Sequence, residues 1–390
     1  MYNALRYLTI LLLVLLGALI AFFALAPRMV QDARNPVAEH DPYQISDEAS
    51  ALHQDMIIGD WHADPLLWRR DLTMRSDVGQ VDIPRMIEGN VALQVFTAVT
   101  KSPAGQNIVS NQTDTRDNIT LLAMGQRWPY PTWSSLTERA LYQARKLQRF
   151  EEKSDGDLTI IRTRADLETL LEARAGGAKT VGAILGIEGA HALEGDLANL
   201  DRMEAEGIRL IGFHHFFDNE VGGSLHGTSN QGLTDLGRAL VAEVDARGMI
   251  LDVAHSSIQA VEDILSLTNG PVVLSHGGIK SYCDTARNLP DDLMRRIAEG
   301  GGVLGFGFWT SASCDITPAG LAAGIKVAID VMGADHVSLG SDFDGSVTTA
   351  FDVAELPALT QALLDAGLSE TQIRKVMGEN MLRVLRARLK

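Results

Sequence analysis

Residues 57–66, IIGDWHADPL, join a short apolar run to a histidine, two carboxylates and a proline. In an extended strand, side chains two positions apart project from the same face. His62 and Asp64 would then point to one place, as a pair of metal ligands or an acid–base couple must. A polar turn after a strand fits these ten residues equally well, so the rest of the chain has to separate the two interpretations.

Short apolar runs of this kind recur along the chain, and most are followed by a stretch with helical periodicity. There are eight such runs, at 56–59, 91–96, 181–187, 208–213, 249–253, 272–274, 303–306 and 337–339. Helical stretches are predicted at 136–153, 197–206, 233–247, 258–267, 291–300 and 318–332, with a closing helix at 370–388. Strands that alternate with helices pair in parallel through right-handed crossovers. The pattern predicts an α/β protein of the (β/α)8 TIM-barrel type found in metal-dependent hydrolases.

The alternative fold is an open, doubly wound parallel sheet. Such a sheet normally carries a glycine-rich phosphate loop after its first strand. Here the first apolar run leads into His-Ala-Asp-Pro at 62–65 instead, which favours the barrel.

The composition limits the classes of partner that the protein is expected to bind. The chain has 390 residues, of which 46% are hydrophobic and 22% charged, and its formal net charge is −16. It is long enough to bury a large core. Binding to nucleic acid needs clustered Lys and Arg, and the sequence has no basic run of that kind, so we expect no nucleic-acid partner.

The N-terminus differs from the rest of the chain. Residues 7–27 carry no charge and lie between Arg6 and Arg28. About twenty apolar residues cross a bilayer, whereas the apolar core of a signal peptide has only ~7–15. We therefore expect residues 1–27 to form an uncleaved membrane anchor, with the remainder exported to the periplasm or the cell exterior. Residues 24–26 resemble a cleavage site, so secretion after cleavage is the alternative.

The remaining sequence divides into two parts. Residues 28–50 are polar, contain proline and show no periodicity, which is typical of a tether. From 51 to 390 the pattern is continuous and predicts one (β/α)8 metallohydrolase domain. The stretch 98–165, which contains RWPYPTW and one predicted helix, is expected to be an insertion in that domain.

Polar side chains follow six of the eight predicted strands. They are Asp60, His62, Asp64, Glu188, His214, His215, His255, His276, Asp342 and Asp344. Active sites of such barrels lie at the carboxyl ends of the strands. Each residue alone is explained equally well by a hydrogen-bonded core position or a turn, and of the adjacent pair His214 and His215 at most one faces inward. Their joint placement predicts a metal site.

Imidazoles and carboxylates without cysteine suit zinc or a similar divalent ion. Three histidines with two or three carboxylates exceed one tetrahedral site. The surplus predicts two metal ions that share a bridging carboxylate and a bridging water, and metal-assisted hydrolysis as the reaction class.

Seven motifs in this order resemble a known family. They are DWHADP, IEGAH, FHHFFDN, LDVAHSS, LSHGG, ARNLPDD and GSDFDG. Together they are similar to the membrane (renal) dipeptidase family of zinc metallopeptidases, peptidase family M19, from about residue 50 to the C-terminus. The resemblance implies a zinc-dependent dipeptidase with two zinc ions per chain. It would hydrolyse dipeptides, including those with a C-terminal D-residue, through a metal-bridging water. It also implies a homodimer.

The resemblance further implies the ligands of the two zinc ions. His62 and Asp64 are similar to the family's ligands of one ion, and His255 and His276 to those of the other. Glu188 matches the carboxylate that bridges both.

Other site residues are implied in the same way. Asp342 resembles the acid/base that moves a proton from the water to the leaving amine. His215 resembles the histidine that steadies the substrate carbonyl as it becomes an oxyanion, and Arg287 resembles the arginine that grips the substrate carboxylate. Two cysteines in an exported domain can form a disulfide or remain thiols; the resemblance implies a Cys283–Cys314 disulfide.

The sequence departs from the family pattern at several positions. Trp61 stands where the family usually has glycine, Gly277-Gly278 follow the second zinc histidine in place of a serine, and Phe216 and Phe217 flank His215. These departures leave the substrate preference open.

Two other functions are compatible with the barrel. One is another amidohydrolase, such as a deacylase, lactonase or phosphotriesterase, but many of these carry a metal-bridging lysine after strand four, where this sequence has IGFHHFF. The other is a non-catalytic binding or scaffold protein of the cell envelope. Such proteins usually lack a ligand or the acid/base, and here each of these positions is filled.

Overall fold

Nine strands form one parallel sheet in the computed structural model of the chain, which describes residues 2–390. Their bounds are Ile58–Ala63 (β1), Val91–Val99 (β2), Leu158–Ile160 (β3), Val181–Glu188 (β4), Ile208–Gly212 (β5), Ile250–Asp252 (β6), Val273–Gly277 (β7), Val303–Phe306 (β8) and Val337–Leu339 (β9). β1 pairs with β2 and β9, β2 pairs with β4, and β4 to β9 pair in chain order. These contacts close eight strands into a ring, which confirms the TIM barrel and excludes the open sheet.

β3 is a strand that the apolar pattern does not predict. Its three residues pair with the first three residues of β4, from Leu158 opposite Val181 to Ile160 opposite Ala183. Three residues are too few to show either periodicity. Because β2 pairs directly with β4, β3 lies outside the ring, at the end of the predicted insertion.

Helices separate most of the strands. Their bounds are Tyr2–Arg34 (α1), Asp47–Asp55 (α2), Ile83–Glu88 (α3), Asn118–Gly125 (α4), Leu136–Lys153 (α5), Arg164–Ala175 (α6), Ala198–Ala205 (α7), Asp235–Arg247 (α8), Ile258–Leu267 (α9), Asp291–Glu299 (α10), Thr310–Ser313 (α11), Pro318–Met332 (α12), Pro357–Asp365 (α13), Glu370–Arg374 (α14) and Asn380–Arg388 (α15). The predicted helices over 136–153, 258–267 and 318–332 coincide with α5, α9 and α12. Each begins after a Ser or Thr whose side chain accepts a hydrogen bond from the first turn, a common helix N-cap.

The pattern over 370–388 predicts one continuous closing helix, but in the structure this segment is interrupted. A π-helical turn, Lys375–Glu379, lies between α14 and α15. Within this turn, a β-carbon on Gly378 would overlap the carbonyl oxygen of Ile57, so the chain passes closely under the start of β1. A widened turn of this type marks a local adjustment of the helix. Asn380 follows and donates to the carbonyl of Val337 at 2.8 Å.

The N-terminal helix continues beyond the apolar stretch. α1 extends through Pro27 to Arg34, and its apolar part has the length and mean hydropathy, 3.0 over the best window, of a membrane span. Residues 28–50, which the sequence predicts to be a tether, contain regular structure. Val37 forms a β-bridge with Thr349, and α2 begins at Asp47. The domain boundaries at residues 27 and 50 stay predictions.

Trp61 lies in the interior and not in a cleft. It is 0% exposed and belongs to the hydrophobic cluster that contains Leu93, Val95 and Met381. This departure from the family pattern therefore affects packing beneath the strand ends.

Candidate active site

The carboxyl ends of the barrel strands bring six of the predicted side chains together. His62 lies in β1 and Asp64 just after it, Glu188 ends β4, His276 lies in β7, and His255 and Asp342 follow β6 and β9. All six are buried.

Glu188 lies at the centre of the group. Its Oε1 atom is 3.2 Å from Nε2 of His255 and 3.3 Å from Nε2 of His276. The same oxygen is 3.7 Å from Nε2 of His62, and Oε2 is 3.3 Å from Nε2 of His215. Four imidazole rings from four strand ends thus surround one carboxylate.

Three overlapping sets of side chains could each hold a metal ion, because their ligand atoms lie within 4.8 Å of one another. The sets are His62, His276 and Asp342; Glu188, His215 and His255; and His62, Asp64 and Glu188. Since His62 and Glu188 each belong to two sets, the arrangement is one continuous cluster of donors.

The electrostatics of the cluster call for added positive charge. Burial raises the pKa of Asp342 to about 8 and raises the pKa of Glu188 well above its ordinary value. Burial disfavours charge on His62, but Asp64 and Glu188 outweigh it and raise the pKa of His62 to about 10. A cation among the carboxylates would stabilise their charged form. It would also replace the proton that His62 holds at its raised pKa. The nitrogen and oxygen donors therefore fit divalent metal.

Two further histidines of the cluster, His255 and His276, are held neutral. Burial, and next the charge of Arg287, lowers the pKa of His255 well below its ordinary value. Burial, and next His62, does the same for the pKa of His276. Neutral imidazole is the form that binds metal.

Thr97 supports the first pair of predicted ligands. Its hydroxyl contacts Oδ1 of Asp64 and lies 3.2 Å from Nε2 of His62. Sequence reasoning did not find this residue, because a threonine within an apolar strand carries no distinguishing signal.

Asp252 and Ser275 support the ring of His276. The hydroxyl of Ser275 is 2.7 Å from Oδ2 of Asp252 and 2.9 Å from Nδ1 of His276. Partners of this kind fix the orientation of a ligating imidazole. Asp252 ends β6, so the search for carboxylates at strand ends could have found it.

Two carboxylates from the predicted set serve the fold. Asp60 accepts hydrogen bonds from the Ser341 amide at 2.9 Å and from Gln94 at 3.1 Å. Asp344 pairs with Arg70. Asp60 also accepts from the backbone N–H of His62 at 3.3 Å, so it supports β1 and does not face the cluster of imidazole rings.

The structure brings His215 to the site but not His214. Nδ1 of His215 lies 3.1 Å from the Lys101 carbonyl, which leaves Nε2 facing Glu188. Nδ1 of His214 contacts the hydroxyl of Ser256 at 2.9 Å.

Two site residues have left-handed backbone conformations. His255 has a φ of 61° and Asp342 a φ of 62°. Non-glycine residues rarely adopt this region, and such strained positions concentrate at functional sites. No sequence pattern predicts these left-handed backbone conformations.

Arg287 lies next to the cluster with donors to spare. Its Nη2 donates to the carbonyl of His276 and lies 3.5 Å from Nε2 of His255. Within the described residues its Nε has no partner. Burial lowers the pKa of Arg287 to about 10, so the guanidinium remains charged near neutral pH.

The loop that carries Arg287 is held by a disulfide between Cys283 and Cys314. Asn288 donates to the Cys283 carbonyl at 2.9 Å. A β-carbon on Gly278 would overlap the carbonyl oxygen of Ala312, so this loop has no room for serine at that position.

A cleft of about 510 Å³ opens over the cluster. Its lining includes Asp64, Glu188, His215, His255, His276, Arg287, Trp309 and Asp342. Phe216 also lines it and stacks on His226 with ring centroids 4.8 Å apart. The outer wall includes Val30 and Arg34 from α1 and Leu122 from α4. No sequence pattern linked the N-terminal helix with the site.

A family model describes the same part of the chain. The model named membrane dipeptidase (peptidase family M19) matches residues 46–389. This match covers the whole barrel and each residue of the cluster.

Individual relatives agree. "Dipeptidase aclJ" of Aspergillus oryzae is 34% identical over 53% of this chain and 51% of its own length. "Dipeptidase 3" of Mus musculus is 26% identical over 89% of this chain and 67% of its own length. This chain thus spans about half of the first relative and two thirds of the second.

A solved metallopeptidase from Rhodobacter sphaeroides has the same architecture. It superposes with a TM-score of 0.70 at 27% identity, and the match covers 86% of this chain and 100% of the other. That structure holds a phosphinate mimic of the dipeptide L-Ala-D-Ala. Fold, site geometry and family model agree, and the chain belongs to the membrane dipeptidase family of metallopeptidases, peptidase family M19.

Proposed function

We propose that this protein is a membrane-anchored dipeptidase that binds two zinc ions and hydrolyses dipeptides with a free C-terminal carboxylate. The observation that carries the proposal is the convergence of four histidines on Glu188, next to the unpaired donors of Arg287, inside one cleft.

The donor geometry supports a division of ligands between two ions. His62 and Asp64, whose Nε2 and Oδ1 atoms are 3.5 Å apart, form one candidate ligand set with Glu188 and would hold one zinc. His255 and His276 approach Oε1 of Glu188 and would hold the other, with Glu188 shared. When bound, zinc lowers the pKa of water and polarises a carbonyl group.

Asp342 would transfer the proton during hydrolysis, and His215 would stabilise the oxyanion. Asp342 would accept a proton from the attacking water and deliver it to the leaving amine as the peptide bond breaks. His215 lines the cleft with Nε2 near Oε2 of Glu188, and it would donate to the carbonyl oxygen as negative charge develops.

Arg287 provides the reason to expect a free carboxylate on the substrate. A buried guanidinium with a free donor suits bidentate binding of a carboxylate. The relative solved with an L-Ala-D-Ala mimic supports acceptance of a D-residue at the same end.

Arg287→Lys is expected to raise KM for L-Ala-D-Ala by roughly 30-fold with little change in kcat, because an ammonium group replaces a two-pronged charged contact worth ~2 kcal/mol. Initial rates of the full-length enzyme test this. The matched substrate is L-Ala-D-Ala amide, which lacks the carboxylate. Wild-type enzyme and variant should hydrolyse the amide with similar kcat/KM, and a variant that keeps its deficit on the amide would contradict the assignment.

The decisive test of the proposed activity is a substrate screen of the full-length protein in detergent. L,L-, L,D- and D,D-dipeptides are compared with acyl-amino acids and lactones, first with zinc and then after chelation. We expect dipeptide hydrolysis that disappears with the chelator and returns with zinc. Faster turnover of acyl-amino acids or lactones would instead identify a different amidohydrolase.

The N-terminal helix supports anchoring and export. α1 continues past Pro27 to Arg34, and the next residue, Asn35, accepts a hydrogen bond from the Ser346 amide at 2.8 Å. An uncleaved helix is consistent with this contact. The Cys283–Cys314 disulfide is typical of an oxidising compartment, so we place the catalytic domain outside the cytoplasm.

A further inference from the structure

A second cleft, of about 420 Å³, shares no lining residue with the first. Five cationic side chains border it: Arg69, Arg70, Lys146, Arg149 and Lys153. Asp71 is the one acidic side chain in its lining, and Tyr142 contributes an aromatic wall. So much positive charge is unexpected in a chain of net charge −16. We call this cleft the cationic pocket.

Part of the charge in the cationic pocket is not neutralised. Arg70 pairs with Asp344, and Lys153 pairs with Asp71. Arg149 forms no ion pair within residues 2–390 and lies exposed, 5.8 Å from the Tyr142 ring centroid.

Two other cations of the pocket bind only neutral oxygens in the part of the chain that is described. Arg69 donates to the Phe23 carbonyl at 3.0 Å, and Lys146 donates to the Leu66 carbonyl at 3.0 Å and to the Trp68 carbonyl. Burial, and next Arg70 and Arg149, lowers the pKa of Lys146 to about 7. An anion in the pocket would restore the charge on this lysine.

The pocket lies beside the membrane helix. Phe23, whose carbonyl Arg69 binds, belongs to the apolar stretch of α1, and the guanidinium of Arg127 lies 5.3 Å from its ring centroid. About one turn further on, Arg28 pairs with Asp77 at 2.7 Å. The cations therefore lie at the level where α1 leaves the hydrocarbon, which is where headgroups lie.

Exposed apolar side chains also lie on α4. Outside α1, seven large apolar side chains of the described residues are exposed: Met74, Val109, Leu121, Met124, Tyr130, Ile258 and Leu267. Five of the seven fall between residues 74 and 130, and two of these are on α4, which packs against α1. Leu121 and Met124 are therefore exposed apolar groups beside α1, and Gln126, directly after α4, lines the cationic pocket. Basic and apolar groups together suit a lipid interface. We call α4 with the cationic pocket the juxtamembrane face.

We propose that the juxtamembrane face lies on the bilayer that α1 crosses, and that the cationic pocket binds the phosphate of an anionic lipid headgroup. The proposal rests on the anchoring proposed above and is independent of the dipeptidase activity. Since α1 and α4 also form the outer wall of the catalytic cleft, that cleft would open beside the membrane surface.

The position of the face is tested with the full-length protein in lipid nanodiscs. A nitroxide is attached at Met124→Cys, or at Ile258→Cys as the matched exposed apolar control on α9; the native cysteines are joined to each other. We expect the label at 124 to be accessible to oxygen and protected from a water-soluble nickel chelate, and the label at 258 to show the reverse. Equal exposure of both labels to the chelate would overturn the proposal.

The lipid site is tested by native mass spectrometry of the full-length protein with phosphatidylglycerol, phosphatidylcholine or inorganic phosphate. Retention of phosphatidylglycerol should fall roughly 30-fold in Arg69→Gln/Arg149→Gln, about five-fold for each arginine near an anionic surface. It should not change in Arg295→Gln, the control, which alters an exposed arginine on α10 outside the pocket lining. Equal retention by the double variant, or binding of inorganic phosphate with no preference for phosphatidylglycerol, would overturn it. Protein that does not enter nanodiscs would overturn the anchoring as well.

Discussion

Asp342→Asn is expected to lower kcat for L-Ala-D-Ala by roughly 1,000-fold, within the range that a positioned acid/base contributes. Asparagine keeps the size of the side chain but cannot accept and release the proton. Asp342 is buried, with Oδ1 3.8 Å from Nε2 of His62. Because the other donors around Glu188 are unchanged, metal content should remain near two ions per chain.

The measurement combines kcat with the metal content per chain, determined by inductively coupled plasma mass spectrometry. Asp284→Asn is the matched control, because that side chain is 82% exposed and pairs with Lys280. An Asp342→Asn enzyme with wild-type kcat would refute the acid/base assignment. Loss of metal in parallel with activity would assign Asp342 to metal binding instead.

Glu188→Gln is expected to remove both metal and activity. Glu188 faces four imidazoles, and a neutral amide would leave them without the central negative charge that holds cations there. The loss of metal affinity should exceed the roughly 10–100-fold caused by changing residues around the ligands, because this side chain is itself a shared ligand in the proposed site.

Metal retained after dialysis is the primary readout, with activity at rising zinc concentration as the second. Glu299→Gln, an exposed position at the end of α10, is the control. We expect the Glu188 variant to purify with little metal. A variant that keeps two ions but loses activity would show that Glu188 acts on the substrate and does not bridge the metals.

The sequence predicted the elements of the barrel well because its strands and helices have strong periodicity. All eight apolar runs are ring strands, and three helices have the predicted bounds. The helices α2, α3, α4, α6 and α13 were not predicted. Two other missed elements, β3 and the π-helical turn, are short or depend on contacts from elsewhere. Gly378, for example, fits only because of where β1 begins.

The sequence predicted the candidate site as a set of residues but not their supports. His62 and Asp64 were found from strand alternation, and the other ligands from their positions after strands. Thr97 and Ser275 were missed because hydroxyl groups in strands are common, and their function depends on which imidazole lies opposite.

The sequence by itself determined the fold class, the family and the side chains available for metal, since periodicity and local motifs report what each segment can bury and donate. Only the tertiary structure decided that α1 borders the catalytic cleft and that cations from 69–70 and 146–153 share one pocket. Those contacts join segments distant along the chain, and their electrostatic effect depends on distance and burial. A sequence with no basic run can therefore still build a concentrated positive site.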